Sequence, residues 1–108
     1  MKLPTEIFGE VIVVHTPEEL SGDTSGQLET LLTSLERVNV IVDLNGTETF
    51  DSGGLEGLLT AQEALRLLVG DLKIATSNAA NRKILEITRL DQQLEVFDSV
   101  LDAVKSFA

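Results

Sequence analysis

The sequence contains no cysteine, no tryptophan and no tyrosine. The first absence excludes disulfides, thiolate nucleophiles and cysteine-ligated zinc or iron–sulfur centres. A single histidine, His15, leaves too little imidazole for a histidine-based metal site or a Ser/His dyad. Phenylalanine is the only aromatic residue, so a core has to come from Leu, Val, Ile and Ala, which suits a sheet covered by helices. Basic residues are scarce: eight Lys and Arg stand against eighteen Asp and Glu, for a formal net charge of −10. That balance argues against the phosphate-neutralising contacts of nucleic-acid binding and against docking on anionic lipid. It favours solubility and attraction to a basic partner surface. No apolar run reaches the ~18 residues of a membrane span, and none resembles the apolar stretch of a signal peptide. A cytoplasmic protein without direct membrane insertion is expected. Both Gly-x-x-x-x-Gly-Lys and Gly-x-Gly-x-x-Gly are missing, so nucleotide binding has no support.

What is present reads as one domain. The 108 residues, 43% of them hydrophobic, suffice for one core and are too few for two. No linker, repeat or low-complexity tract divides residues 1–108. Val11-Ile12-Val13-Val14 is a β-branched run of the kind buried on both faces of a sheet, and it can pair with a short strand near residues 6–8. Thr24-Ser25-Gly26-Gln27 has capping-box spacing, followed by Leu28, Leu31, Leu32 and Leu35 on one helical stripe. Val38, Val40, Ile41, Val42 and Leu44 form a second buried strand. Leu55, Leu58, Ala61 and Leu65, continued by Leu68 and Val69, predict a second helix closed by Gly70. Leu72-Lys73-Ile74-Ala75 is a third strand, and Ser77-Asn78 can cap a helix carrying Ile84, Leu85 and Ile87. Leu94-Glu95-Val96-Phe97 and a final helix capped by Asp98-Ser99, with Val100, Val104 and Phe107 inward, complete the chain. The order β-β-α-β-α-β-α-β-α requires right-handed parallel crossovers. The fold class is therefore α/β, a mixed and mostly parallel sheet of about five strands with helices packed against it.

In such sheets, ligand and partner sites gather where strand C-termini meet helix N-termini. One junction stands out, running from Asp43 through Asn45-Gly46-Thr47-Glu48-Thr49-Phe50 to Asp51-Ser52-Gly53-Gly54. Ser52 can cap the following helix through its hydroxyl, while the paired glycines expose backbone amides and let a partner approach closely. A tight loop with an ordinary serine cap would look the same. A phosphoacceptor receiver reading, with Asp43, Lys73 and Thr76, lacks the acidic pair its metal needs, because His15-Thr16-Pro17 follows the first buried strand. Asp43, Glu48 and Asp51 would act as acid and base only in a dry cleft. No catalytic residue, metal ligand or cofactor is assigned. Asn81-Arg82-Lys83 and Arg89 read as a solvated basic face opposite Ile84 and Ile87, or as a secondary contact for an acidic partner.

Val40-Ile41-Val42-Asp43-Leu44-Asn45-Gly46, followed by Phe50-Asp51-Ser52-Gly53-Gly54-Leu55, resembles the central signature of STAS domains: apolar strand, Asp-Leu, polar loop, Asp-Ser-Ser/Thr-Gly-Leu, apolar helix. Glu19-Leu20 and Thr24 fit the stretch before the family's first helix, and the later elements agree in order over roughly residues 7–107. The resemblance is to bacterial anti-sigma-factor antagonists in particular. It implies a protein–protein interaction module that binds a kinase-type anti-sigma factor or other signalling protein, as a monomer or weak homodimer, and regulates transcription without being an enzyme. It also implies an interface built from Ser21, Asp23 and Thr24 beside Thr47, Thr49, Asp51, Ser52, Gly53, Gly54 and Leu55. In the family the kinase phosphorylates a Ser or Thr that falls here on Gly53, which has no hydroxyl. Pro17 and Ser21 also depart from the family pattern. Three readings follow: a module that the usual kinase cannot switch off, a module with Ser52 as substitute acceptor, or a STAS domain outside sigma regulation, in lipid transport or a signalling scaffold. Ser52 lies ~100° around the helix from position 53, which sets it at a different angle to a kinase.

Overall fold

The β-branched runs form the centre of one sheet. The computed structural model describes residues 3–22, 28, 30–32, 34, 35 and 37–107. β1 (Thr5–Phe8) turns back on β2 (Val11–His15), and the two pair antiparallel. Two further strands were not anticipated: β3 (Glu19–Leu20) and β5 (Thr49–Phe50), each two residues long. β4 (Asn39–Asp43), β6 (Asp71–Ala75) and β7 (Val96–Phe97) extend the sheet from β2, all parallel, in the order β1-β2-β4-β6-β7. β3 and β5 pair with each other, parallel, as a separate sheet. The expected five-stranded, mostly parallel sheet is thus present.

Alternation along the strands sends successive side chains to opposite faces. Ile12, Val14, Val40, Val42, Leu72 and Ile74 face a layer of helices and form the larger core. That layer is α1 (Ser52–Leu67), α2 (Ala79–Ile87) and the helical residues 28, 30–32 and 34, of which Leu28 and Leu32 are fully buried. Val11, Val13, Ile41 and Ala75 face the other way, against Ala103 of α3 (Val100–Lys105). Lys73 also lies on this side, although it is buried. Its ammonium stands 4.2 Å from the Phe107 ring centroid and donates to Ser106 Oγ at 2.8 Å, so the cation keeps partners while its stem packs.

Two expectations about α1 and one about α2 change. The helix ends at Leu67, and Leu68 and Val69, expected on its buried stripe, are exposed. The left-handed residue after the helix is Val69 (φ 64°), not Gly70. A β-branched residue in that conformation carries a cost of roughly 1–2 kcal/mol. Gly70 answers a different need: a side chain there would collide with the backbone of Val38, its Cβ lying 2.6 Å from the Val38 carbonyl carbon. In α2, Leu85 is the buried anchor and Ile87 is 70% exposed, because two residues of helix turn it ~200° away from Leu85 and so off the buried face.

His15, at the end of β2, is held from both sides. Its Nδ1 lies 2.8 Å from Asp43 Oδ2 and its Nε2 lies 2.7 Å from Glu6 Oε1. Burial favours the neutral ring, but the two carboxylates outweigh it and raise the imidazole pKa above its ordinary value of 6.5. A raised folded pKa gives a contribution that is fully present below the unfolded value and is lost as pH rises through the folded one. The unfolding midpoint should therefore fall as pH is raised above about 6.5. His15→Gln should flatten that part of the pH profile, as followed by thermal denaturation; an unchanged profile in the variant would assign the titration elsewhere.

Candidate functional site

The two-residue sheet assembles the site. Glu19 pairs with Thr49 and Leu20 with Phe50. The Glu18 carbonyl accepts the Glu48 and Thr49 amides at 2.7 and 3.2 Å, and the Leu20 carbonyl accepts the Asp51 amide at 3.2 Å. The chain after β2 is thereby laid alongside the chain that enters α1. These contacts bring Ser21 next to the motif, as expected. Asp23 and Thr24, with the capping-box stretch 24–27, lie outside the described residues.

Asp51, rather than Ser52, is the N-cap of α1. Its backbone is extended and its Oδ1 accepts the Gly54 amide at 2.8 Å. A carboxylate one residue earlier has the reach to the third helical amide, which leaves the Ser52 hydroxyl exposed on the first turn. The Asp51 pKa is lowered, first by the amide of Gly22, then by those of Gly54 and Gly53. The charged form is thus held by donors from both chain segments.

Thr47, expected among the contact residues, is fully buried. Its hydroxyl bonds to the Pro17 carbonyl at 2.6 Å and to Thr16 Oγ1. It braces the loop from below and presents nothing to a partner. Sequence reasoning also misread Asn81, which is 1% exposed rather than part of a solvated face. Its Nδ2 donates to the carbonyls of Leu44 and Thr47 at 2.9 and 3.1 Å, so α2 fixes the path of the loop leaving β4. Asn45 extends the bracing through its Oδ1, which accepts the Ser77 amide at 2.7 Å. The loop is therefore ordered by hydrogen bonds, not the open flexible segment its composition suggests.

What remains on the surface is Thr49, Asp51, Ser52 and partly Gly53, with Gly54 and Leu55 buried beneath. A shallow groove of about 250 Å³ continues from Ser52, lined by Leu55, Glu56, Leu59, Thr88 and Leu90. Glu18, Glu19, Glu48 and Glu56 are exposed around this face, which makes it acidic. Among the described residues no group of three or more His, Asp or Glu is disposed to hold a metal, and no described helix is long and apolar enough to cross a membrane.

The STAS domain family model matches residues 2–103, a span that includes the strand–loop–helix junction with its Asp cap and paired glycines, and the chain belongs to the STAS domain family. The fold is shared with several solved structures. An anti-sigma-factor antagonist from Mycobacterium paratuberculosis superposes with a TM-score of 0.82 at 23% identity, covering 97% of this chain and 92% of that one. The Bacillus cell fate determinant SpoIIAA in its phosphorylated form gives 0.71 at 15% identity, over 99% and 100%. A sulfate transporter family protein from Wolinella succinogenes gives 0.80 at 16% identity, over 94% and 87%. A search of curated proteins finds no match.

Proposed function

We propose that this chain is a binding module of the anti-sigma-factor antagonist type, that its partner is a cytoplasmic kinase-type anti-sigma factor, and that the pairing runs without the usual phosphorylation switch. The contact face is the exposed rim of Ser21, Thr49, Asp51, Ser52 and Gly53, extended by the groove beside Leu59. The observation that carries this reading is Gly53 itself. By resemblance it falls at the acceptor position of the family motif, and glycine offers no oxygen for phosphoryl transfer. An added phosphate would bring about −1.5 to −2 charges beside Asp51, and a contact fitted to an uncharged group at this one position would reject them.

The test is a binding titration against a kinase-type anti-sigma factor encoded near this gene, with and without ATP, followed by phosphosite mapping. Binding should survive ATP. Stoichiometric phosphate on Ser52 would instead make that residue the acceptor and overturn the unswitched reading. The acidic rim predicts a basic partner surface. Reversing Glu48 and Glu56 together to lysine should slow association by about tenfold at low ionic strength, with the difference shrinking as salt is added. Stopped-flow association rates would check this, and an effect confined to dissociation would place both residues inside the contact.

The likeness to the sulfate transporter family protein supports a second reading, in which the same face serves a transport complex, lipid transport included, or a signalling scaffold. Loss of all binding to kinase-type anti-sigma factors by a correctly folded protein would favour it.

A further inference from the structure

We propose that residues 20–22 form a built-in strap across the start of α1, and that the strap, rather than the missing hydroxyl alone, keeps position 53 free of any side chain. The proposal deepens the function proposed above, and only its relevance to a kinase rests on that reading.

Three observations converge on it. The backbone of Leu20 is tied to Asp51 by an amide–carbonyl bond of 3.2 Å. The Asp51 Oδ1 accepts the Gly54 amide on the helix at 2.8 Å, and the Gly22 amide on the strap is the largest influence lowering the same carboxylate's pKa, so one side chain faces both segments. The space between them is closed. A Cβ built on Gly53 would lie 2.5 Å from Gly22 Cα and 3.1 Å from Gly22 N. The obstacle is backbone, which has no rotamer to move aside.

The contact is asymmetric. A Cβ built on Gly22 would lie 3.5 Å from Gly53 Cα and 3.9 Å from each Asp51 carboxylate oxygen, which is ordinary packing. A side chain is therefore tolerated on the strap and excluded beneath it. Generic glycine flexibility would not produce this difference. Restoring serine at position 53 would add the hydroxyl but lift the strap, so the resulting kinase substrate would present an altered face.

The experiment needs no partner. Gly53→Ala, Gly53→Ser, Gly22→Ala and Asp51→Asn are compared by amide hydrogen exchange at Gly22 and Gly54 and by thermal unfolding. Both position-53 variants should speed exchange at Gly22 by about tenfold or more, the change expected when a charge-assisted bond opens. Gly22→Ala should leave exchange at Gly54 as in the wild type. Asp51→Asn should release Gly22 without a clash, which keeps the test decisive if the position-53 variants fail to fold. A Gly53→Ser protein with wild-type protection at Gly22 overturns the proposal, as does a Gly22→Ala protein as disturbed as Gly53→Ala, or an Asp51→Asn protein in which Gly22 stays protected. If the strap behaves as expected but no anti-sigma factor binds, the proposed partner fails and the strap stands.

Discussion

Gly54→Ala should destabilise the protein by about 1–3 kcal/mol, the usual cost of forcing a methyl group into filled space. For a domain of this size that lowers the unfolding midpoint by about 4–8 °C per kcal/mol. Intrinsic helix propensity points the other way, since alanine is favoured over glycine inside a helix by roughly 1 kcal/mol. Geometry decides the sign. A Cβ on Gly54 would meet the Leu20 carbonyl, lying 2.8 Å from its carbon and 3.2 Å from the Ser21 amide nitrogen. Leu20 is fully buried and held in β3, so the obstructing atoms cannot retreat without parting β3 from β5. Circular dichroism melts would measure the shift. A midpoint equal to or above that of the parent would mean that β3 and α1 do not approach as closely as described.

Asn81→Asp should have a still larger effect. The side chain is nearly inaccessible, and its amide nitrogen donates to two backbone carbonyls, those of Leu44 and Thr47. An aspartate of the same shape sets a carboxylate oxygen against them. Leaving a buried charge uncompensated costs about 3–5 kcal/mol, and here it also releases the loop that leads into the contact face. The penalty should depend on pH in a defined direction. Repulsion and burial would raise the new carboxyl's folded pKa, and the protonated acid could donate one of the two lost bonds. The deficit should thus be smallest below the unfolded value of about 3.9 and grow as pH rises toward the folded value, where it levels off. Urea titrations at several pH values would show this. A deficit that did not change with pH would place the side chain in contact with water.

Where local pattern decides structure, the sequence was easy to read. The β-branched run of β2, the Val-rich β4 and the Leu spacing of α1 each commit to one period, and the sheet follows from them. The errors cluster where the deciding contact is distant in the chain. Asn81 stands directly before Arg82 and Lys83 on a helix and reads as solvated; only the passage of Leu44 and Thr47 beneath it reveals its role. Gly70 looked like a helix terminator because its packing against Val38 crosses thirty-two residues of sequence. Ser52 and Asp51 are both good caps, and the choice between them rests on which oxygen reaches Gly54. Thr47 reads as a surface residue of the loop but is buried, since nothing local tells an outward threonine from one braced on Thr16 and Pro17. The motif's family likeness marks the junction proposed as the site, while the close approach at Gly53 depends on Gly22, which lies before the motif begins.

The pairing of β3 with β5 also bears on imitation of this face. Peptide inhibitors copy a continuous stretch of chain, and a peptide spanning residues 47–60 would carry the loop and the first turns of α1. It would lack Leu20, the Glu18 carbonyl and the Gly22 amide, and with them the ladder that gives the loop its course. A short helix cut from its protein is itself marginal in water. The recognisable object is thus a property of the whole folded domain. A competitor for its partner would have to be designed as a small folded scaffold that holds two separate strands in register.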